Sequence, residues 1–276
     1  MRRIPRFYLR WKARARARAH RGKVWTIPGV ESPQLGNRRN LFVYTPASYA
    51  RGDARYPVIY MQDGQNLFDA ATSFAGDWGL KTALAWASRR GLEAIVVGIP
   101  NMGAARIDEY APFRDPKVGG GEGDRYLDYL INTVKPLVDQ RFRTLPDRAH
   151  TGIAGSSLGG LISLYGYFRY PSVFGFAAAL SPSLWFANAA ILDVVEQAPR
   201  AAGRGRVYLD VGLQEGDTHV MLARRLRDLL LAKGYEPQRE FRWVEDREGR
   251  HHESAWGRRF RKALPFLLRN GGNSPR

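Results

Sequence analysis

The chain has 276 residues, enough for one large domain or two small ones, and its apolar and aromatic content suits a sizeable core. It holds no cysteine, which excludes disulfides, thiol catalysis and cysteine-bound metal, and no apolar run approaches the roughly 20 residues that span a bilayer. The formal charge is +17, and ten of the 43 Lys and Arg lie in residues 1–23, where no acidic residue offsets them.

Beyond that stretch 33 basic residues face 26 acidic ones, leaving +7, which suits an anionic substrate. Residues 1–22 are read as a solvated basic extension whose core, Lys12 to Ala19, alternates charge with alanine only. The competing reading is an arm that contacts nucleic acid or a membrane. No apolar segment of secretory type follows the basic start, so the expected location is cytoplasmic.

Strands are expected at 24–28 and 40–45, joined by a Pro-, Gly- and Asn-rich hairpin. Pro57–Met61 reads as a buried strand leading into the loop Gln62–Asp69, followed by a helix over 78–89 and the apolar strand 94–99. Residues 100–121 read as a long loop. Residues 123–141 show a helical apolar stripe that Pro136 should bend. Then come a strand and helix around Ser157, a strand at 174–180 and a helix near 187–197. A strand at 206–211, a helix at 218–232, a strand at 240–244 and a last helix over 253–269 complete the order. Strands alternating with helices from residue 57 onward imply a mostly parallel sheet covered on both faces. Residues 23–272 are read as one catalytic domain without a large lid.

Thr151 to Gly160 carries the chemical signal. Gly155, Ser157 and Gly159 form G-x-S-x-G between an apolar strand and a helical run, the context of a nucleophile elbow. A serine hydroxyl needs a base, and the base needs an orienting carboxylate. In this arrangement acid and base follow the serine in that order. His219 falls in the first turn of a helix and reads as a partly exposed helix residue. His251 and His252 lie between the last strand and the last helix, where the base belongs, and spacing does not choose between them. The acid belongs in Gly212–Asp217. Glu215 is preferred, because Asp217 precedes a helix and can cap it. Oxyanion donors are expected from the backbone N–H of Leu158 and from the loop after the 57–61 strand, at Gln65 rather than Gly64.

Rival chemistries are weaker. His251-His252-Glu253 has no third metal ligand at suitable spacing, so no metal is expected. The run Gly119–Gly123 lacks the Lys-Ser/Thr pair of a phosphate loop. Asp108 and Glu109 read as surface or ion-paired groups.

Several segments in order resemble the Putative esterase family of α/β-hydrolases, the esterase D or enterochelin-esterase-like group. Val58–Asp69 is similar to its oxyanion loop. Arg106–Pro112 is similar to its R-x-x-E-Y-S-P segment, with Ala111 where serine is usual. Gly155–Gly160 matches the elbow, Leu180–Trp185 the S-P-S-x-W segment, and His251–Trp256 the H-x-E-x-x-W segment. The resemblance covers about residues 23–269 and implies an α/β-hydrolase fold. It also implies serine-dependent hydrolysis of a small-molecule carboxylic ester through an acyl-enzyme, without a cofactor. It assigns the base to His251 and makes Arg106, Trp78 and Trp185 candidates for lining the substrate pocket. Relatives of this kind act on siderophore trilactones, feruloyl, acetyl or thioester substrates, or transfer acyl groups. Acyl transfer is the alternative enzyme reading, and a non-catalytic protein that binds nucleic acid or membrane through the basic extension is the alternative of another class.

Overall fold

Short apolar runs such as Val58–Gln62 and Ile95–Ile99 have no polar face, so both faces of the sheet they build must be covered. The computed structural model, which describes residues 22–73, 76–199 and 205–269, satisfies that demand. The basic extension expected over 1–22 lies outside the described residues except for Gly22.

The strands are β1 (Lys23–Ser32), β2 (Asn37–Thr45), β3 (Val58–Gln62), β4 (Ile95–Ile99), β5 (Arg114–Asp115), β6 (Gly119–Gly120), β7 (Thr151–Ser156), β8 (Phe176–Leu180), β9 (Arg206–Gly212) and β10 (Phe241–Asp246). Eight of them form one sheet in the order β1-β2-β4-β3-β7-β8-β9-β10, and β5 pairs with β6 in a separate ribbon. The hairpin β1–β2 and the β2–β4 junction are antiparallel; from β4 to β10 every neighbour is parallel. This is the α/β-hydrolase arrangement. The period of two along each strand sorts the core into two layers. Val58, Tyr60, Ile153 and Leu209 face one layer, and Ile59, Met61, Ala154 and Tyr208 the other.

The helices are α1 (Leu80–Ser88), α2 (Arg106–Tyr110), α3 (Gly123–Asp128), α4 (Lys135–Arg141), α5 (Leu158–Arg169), α6 (Ile191–Gln197), α7 (Asp217–Ala232) and α8 (Glu253–Leu267). Leu127, Leu161, Leu164, Leu226 and Leu230, from α3, α5 and α7, fill the first layer. Leu80, Leu84, Trp256, Phe260 and Leu264, from α1 and α8, fill the second. Each fully buried side chain of this size contributes roughly 1.5–3 kcal/mol of apolar burial.

Three expectations are revised. The stretch 100–121 is not loop throughout, because it contains α2 and the β5–β6 ribbon. The helix of 123–141 is not a bent α-helix. It passes through a π-helical segment, Tyr129–Val134, and the Lys135 N–H bonds Leu130 O, five residues back. Pro136 has no N–H to offer, and the ladder widens just before it. The helix near 187–197 begins at Ile191, since Ala187, Asn188 and Ala189 all have left-handed φ, at 48°, 57° and 63°. Among the described residues, no helix is long and apolar enough to cross a membrane.

Candidate active site

Parallel strands end on one edge of the sheet, and the loops leaving that edge collect side chains from distant parts of the sequence. The loops after β3, β7, β9 and β10 carry Gln65, Ser157, Glu215 and His251 respectively. The last two loops are tied together, because the Gln214 N–H bonds Gly249 O at 3.0 Å and Arg250 Nε donates to Gln214 Oε1 at 2.8 Å.

Ser157 sits between β7 and α5 with φ 55° and ψ −124°, a backbone state that side chains rarely adopt. Its N–H bonds Leu180 O at 3.1 Å, and its carbonyl accepts from Ser183 N at 3.0 Å, so the neighbouring strand and the loop after it hold the turn. The two glycines of the elbow are held by different neighbours. A Cβ on Gly155 would lie 2.5 Å from the carbonyl oxygen of Gly159, and one on Gly159 would lie 3.0 Å from the Gln62 Cβ. Leu158 opens α5, so its N–H has no acceptor within the helix.

His251 bridges Ser157 and Glu215. Its Nε2 lies 3.0 Å from Ser157 Oγ, and its Nδ1 lies 3.0 Å from Glu215 Oε2. An ionised carboxylate only accepts, so Nδ1 carries the proton and Nε2 presents its lone pair to the serine. The ring meets Trp256 edge-on at 4.8 Å and His219 at 5.4 Å. His252 is absent from this chain of contacts. Its Nδ1 accepts from the Ser254 N–H at 3.3 Å and caps α8.

Glu215 has a fully buried side chain. Its Oε1 accepts from Ser181 Oγ at 2.7 Å and from the Gly212 N–H at 3.0 Å, and Arg259 Nη2 approaches at 3.3 Å. Burial alone would raise its pKa. The hydrogen bonds from His251 and Ser181 and the charge of Arg259 outweigh it and hold the carboxyl below its ordinary value. Asp217 is exposed and is the first residue of α7; Gly216 is the cap, and Asp217 makes no capping bond. The expected cap is therefore not made, and Asp217 acts on the helix only through its charge in the first turn.

The loop after β3 forms a single tight turn, Gly64–Asn66, entered through Asp63 at φ 53°. Gly64 presses on β4, where an added Cβ would lie 2.4 Å from the Gly98 carbonyl carbon. Arg106 grips the Asp63 carboxylate with Nε at 2.7 Å and Nη2 at 2.8 Å. Asn101 donates to Asp63 at 2.6 Å through its side chain and to Gln65 Oε1 at 3.2 Å through its backbone. A cleft of about 650 Å3 opens here, lined among others by Gln65, Arg106, Ser157, His251, Glu253 and Trp256.

Of the three pocket candidates, Arg106 lines the cleft while ion-paired. Trp78 does not line it. It is 5% exposed and packs against Trp256 and Phe260 in the core. Trp185 lies outside the cleft lining, 39% exposed beside Phe186. Glu109 is buried in a bidentate pair with Arg39, at 2.7 and 2.8 Å. Among the described residues, no cluster of three or more His, Asp or Glu is arranged to hold a metal ion.

The sequence matches the family described as Putative esterase over residues 32–267. The chain belongs to that family. It is 29% identical over 247 residues to the uncharacterized protein YbbA of Bacillus subtilis, covering 85% of this chain and 94% of that protein. It is 35% identical over 147 residues to the siderophore triacetylfusarinine C esterase of Aspergillus fumigatus, covering 51% and 49%. The crystal structure of the BES protein from Bacillus cereus aligns with a TM-score of 0.73 at 23% identity, over 91% and 95% of the two chains. The esterase is thus a carboxylic-ester hydrolase by family.

Sequence reasoning missed the layer of the esterase behind Glu215. Ser181 Oγ donates to Glu215 and accepts from Trp256 Nε1 at 3.2 Å and from Arg259 Nη2 at 2.5 Å, which uses its one proton and both lone pairs. Arg259 is 1% exposed and also meets Asp210 Oδ1 at 3.2 Å. A signal was present, since Arg259 falls three residues after Trp256 on the buried stripe of α8, where an arginine requires partners.

Proposed function

We propose that the protein hydrolyses carboxylic esters through an acyl-enzyme on Ser157, with His251 as general base and acid and Glu215 as its orienting carboxylate. The observation that carries this reading is the unbroken contact from Ser157 Oγ through both nitrogens of His251 to Glu215, with each step at 3.0 Å. Ser157 Oγ attacks the ester carbonyl carbon as its proton passes to His251 Nε2. The backbone N–H groups of Leu158 and Gln65 receive the oxyanion, an interaction worth about 2.7–4 kcal/mol per donor. The carbon–oxygen bond to the alcohol then breaks, and the leaving oxygen takes the proton from Nε2. Water repeats the sequence on the acyl carbon, gives its proton to His251 and releases the acid, and Ser157 recovers its hydrogen.

The 35% identity to a siderophore esterase makes hydroxy-acid esters of the siderophore type the first natural substrates to offer. The reading is tested with a short p-nitrophenyl ester. Ser157→Ala and His251→Ala abolish turnover, while Ser156→Ala and His252→Ala retain most of it. Equal loss from Ser156→Ala, or a larger loss from His252→Ala, overturns the assignment.

A further inference from the structure

One carboxylate in the cleft has no part in the chemistry above. Glu253 is the first residue of α8, is 8% exposed, and lines the cleft beside Ser157, His251 and Trp256. No described residue donates a hydrogen bond to it, and its one ion-pair neighbour, His252 Nε2, stands 3.9 Å away. Asp63, in the same cleft, is fully engaged by Arg106 and Asn101. Its carboxylate opens onto the cleft, where an acceptor without a protein donor is satisfied by an N–H, a cation or a water that enters. Here the unfilled acceptor belongs to the cavity wall.

Charge gives the same indication. Asp63, Arg106 and Glu253 are the charged groups of the cleft lining, two carboxylates against one guanidinium. Arg106 is already committed to Asp63 through two of its nitrogens. The cleft is therefore formally negative inside a chain of +17. The expectation of an anionic substrate, drawn from the overall charge, does not extend to this cavity.

We propose that Glu253 is a specificity-determining residue. Its carboxylate receives a hydrogen-bond donor or cationic group that the substrate carries near its scissile ester, and it disfavours an anionic group in the same place. The proposal rests on the ester-hydrolase reading and adds the polarity of the substrate. Its rival is a purely structural role, in which Glu253 only complements the positive end of α8.

The test uses two ester series. In the first, p-nitrophenyl esters carry γ-trimethylammoniobutyrate, its neutral tert-butyl isostere or γ-sulfobutyrate as the acyl group. In the second, acetate esters carry the same three end groups on the alcohol. The full-length protein is expected to prefer the cationic over the anionic ester by about tenfold or more in kcat/KM in at least one series, which also reports which half of the substrate occupies the cleft. Glu253→Gln is expected to collapse the cation-to-anion ratio about tenfold, mainly through KM, and Glu253→Asp to keep most of it. Flat ratios in both series for the unmodified protein overturn the proposal with no variant involved. A Glu253→Gln protein that loses rate equally on all three esters assigns Glu253 to structure and overturns it too. Absence of any Ser157-dependent turnover would instead overturn the hydrolase reading, and the proposal with it.

Discussion

Among the described residues two arginines are buried, and they serve opposite ends. Arg39 on β2 is 4% exposed and pairs with a single carboxylate, Glu109, in a two-pronged pair reinforced by Asn37, with a further bond to Pro100 O. Arg259 on α8 is 1% exposed and divides its guanidinium among Ser181, Glu215 and Asp210. The first is a closed clamp between the hairpin and α2, and nothing in it reaches Ser157. The second is open-ended, and the carboxylate it steadies presents its other oxygen to His251. A buried ion pair is weak evidence for stability, since desolvation offsets much of its attraction. What separates the two arginines is whether the partner oxygen has a second task.

Five substitutions sharpen or break that contrast. Glu215→Gln is expected to have the largest effect. It keeps the shape but loses the charge that holds the His251 tautomer, and kcat should fall about 10^3- to 10^4-fold in single-turnover or steady-state assays. Asp217→Asn should stay within about twofold, and a reversal of the two would move the acid to Asp217. Next, Arg259→Met and Arg39→Met should each cost about 3–5 kcal/mol in denaturant unfolding, because each leaves a carboxylate buried without its cation. Only Arg259→Met should also lower kcat in the folded fraction, by about tenfold or more. Equal kcat for the two variants would erase the distinction. Ser181→Ala, which removes a fully bonded buried hydroxyl, is expected to cost about 1–3 kcal/mol and a smaller part of kcat.

The smallest effect is one of pH. Glu215 is held below its ordinary value in the folded protein, so its ionised form adds stability that is complete above the unfolded value of about 4.3. That contribution is lost as the pH falls through the lowered folded value. The stability gap between the parent protein and Glu215→Gln should therefore be constant near neutrality and close in acid. A gap that widens on acidification would contradict the direction of the shift. Asp210, on the same arginine, moves the other way. Burial pushes it up to about 7 in spite of Arg259. Arg259 thus stands between two carboxylates whose titrations diverge.

Part of this arrangement is legible in the sequence. The elbow could be read because much of its constraint is local: Gly155 faces the backbone of Gly159 four residues on, and the strand and helix on either side are written in adjacent sequence. The two loops that carry Glu215 and His251 could be placed because the loops that follow parallel strands gather on one edge, but only the resemblance to the esterase family separated His251 from His252. What escaped depends on neighbours distant in sequence. Trp78 looks like a pocket residue until Trp256 and Phe260 close over it. Asp217 looks like a cap until the helix begins one residue early, with Gly216 at the cap. Ser181 is a small residue in a turn until Trp256, Arg259 and Glu215 converge on its hydroxyl. Helix α2 was read as loop because five residues among prolines and glycines carry too little periodicity, and the Arg39–Glu109 pair that fixes it links residues seventy positions apart.

Activation of Ser157 by His251 is tested most directly by covalent labelling with a fluorophosphonate followed by peptide mapping. A single serine, Ser157, is expected to be modified, rapidly in the parent protein and about 10^3-fold or more slowly in His251→Ala. Labelling at any other serine, or labelling of Ser157 at the same rate without His251, would contradict it.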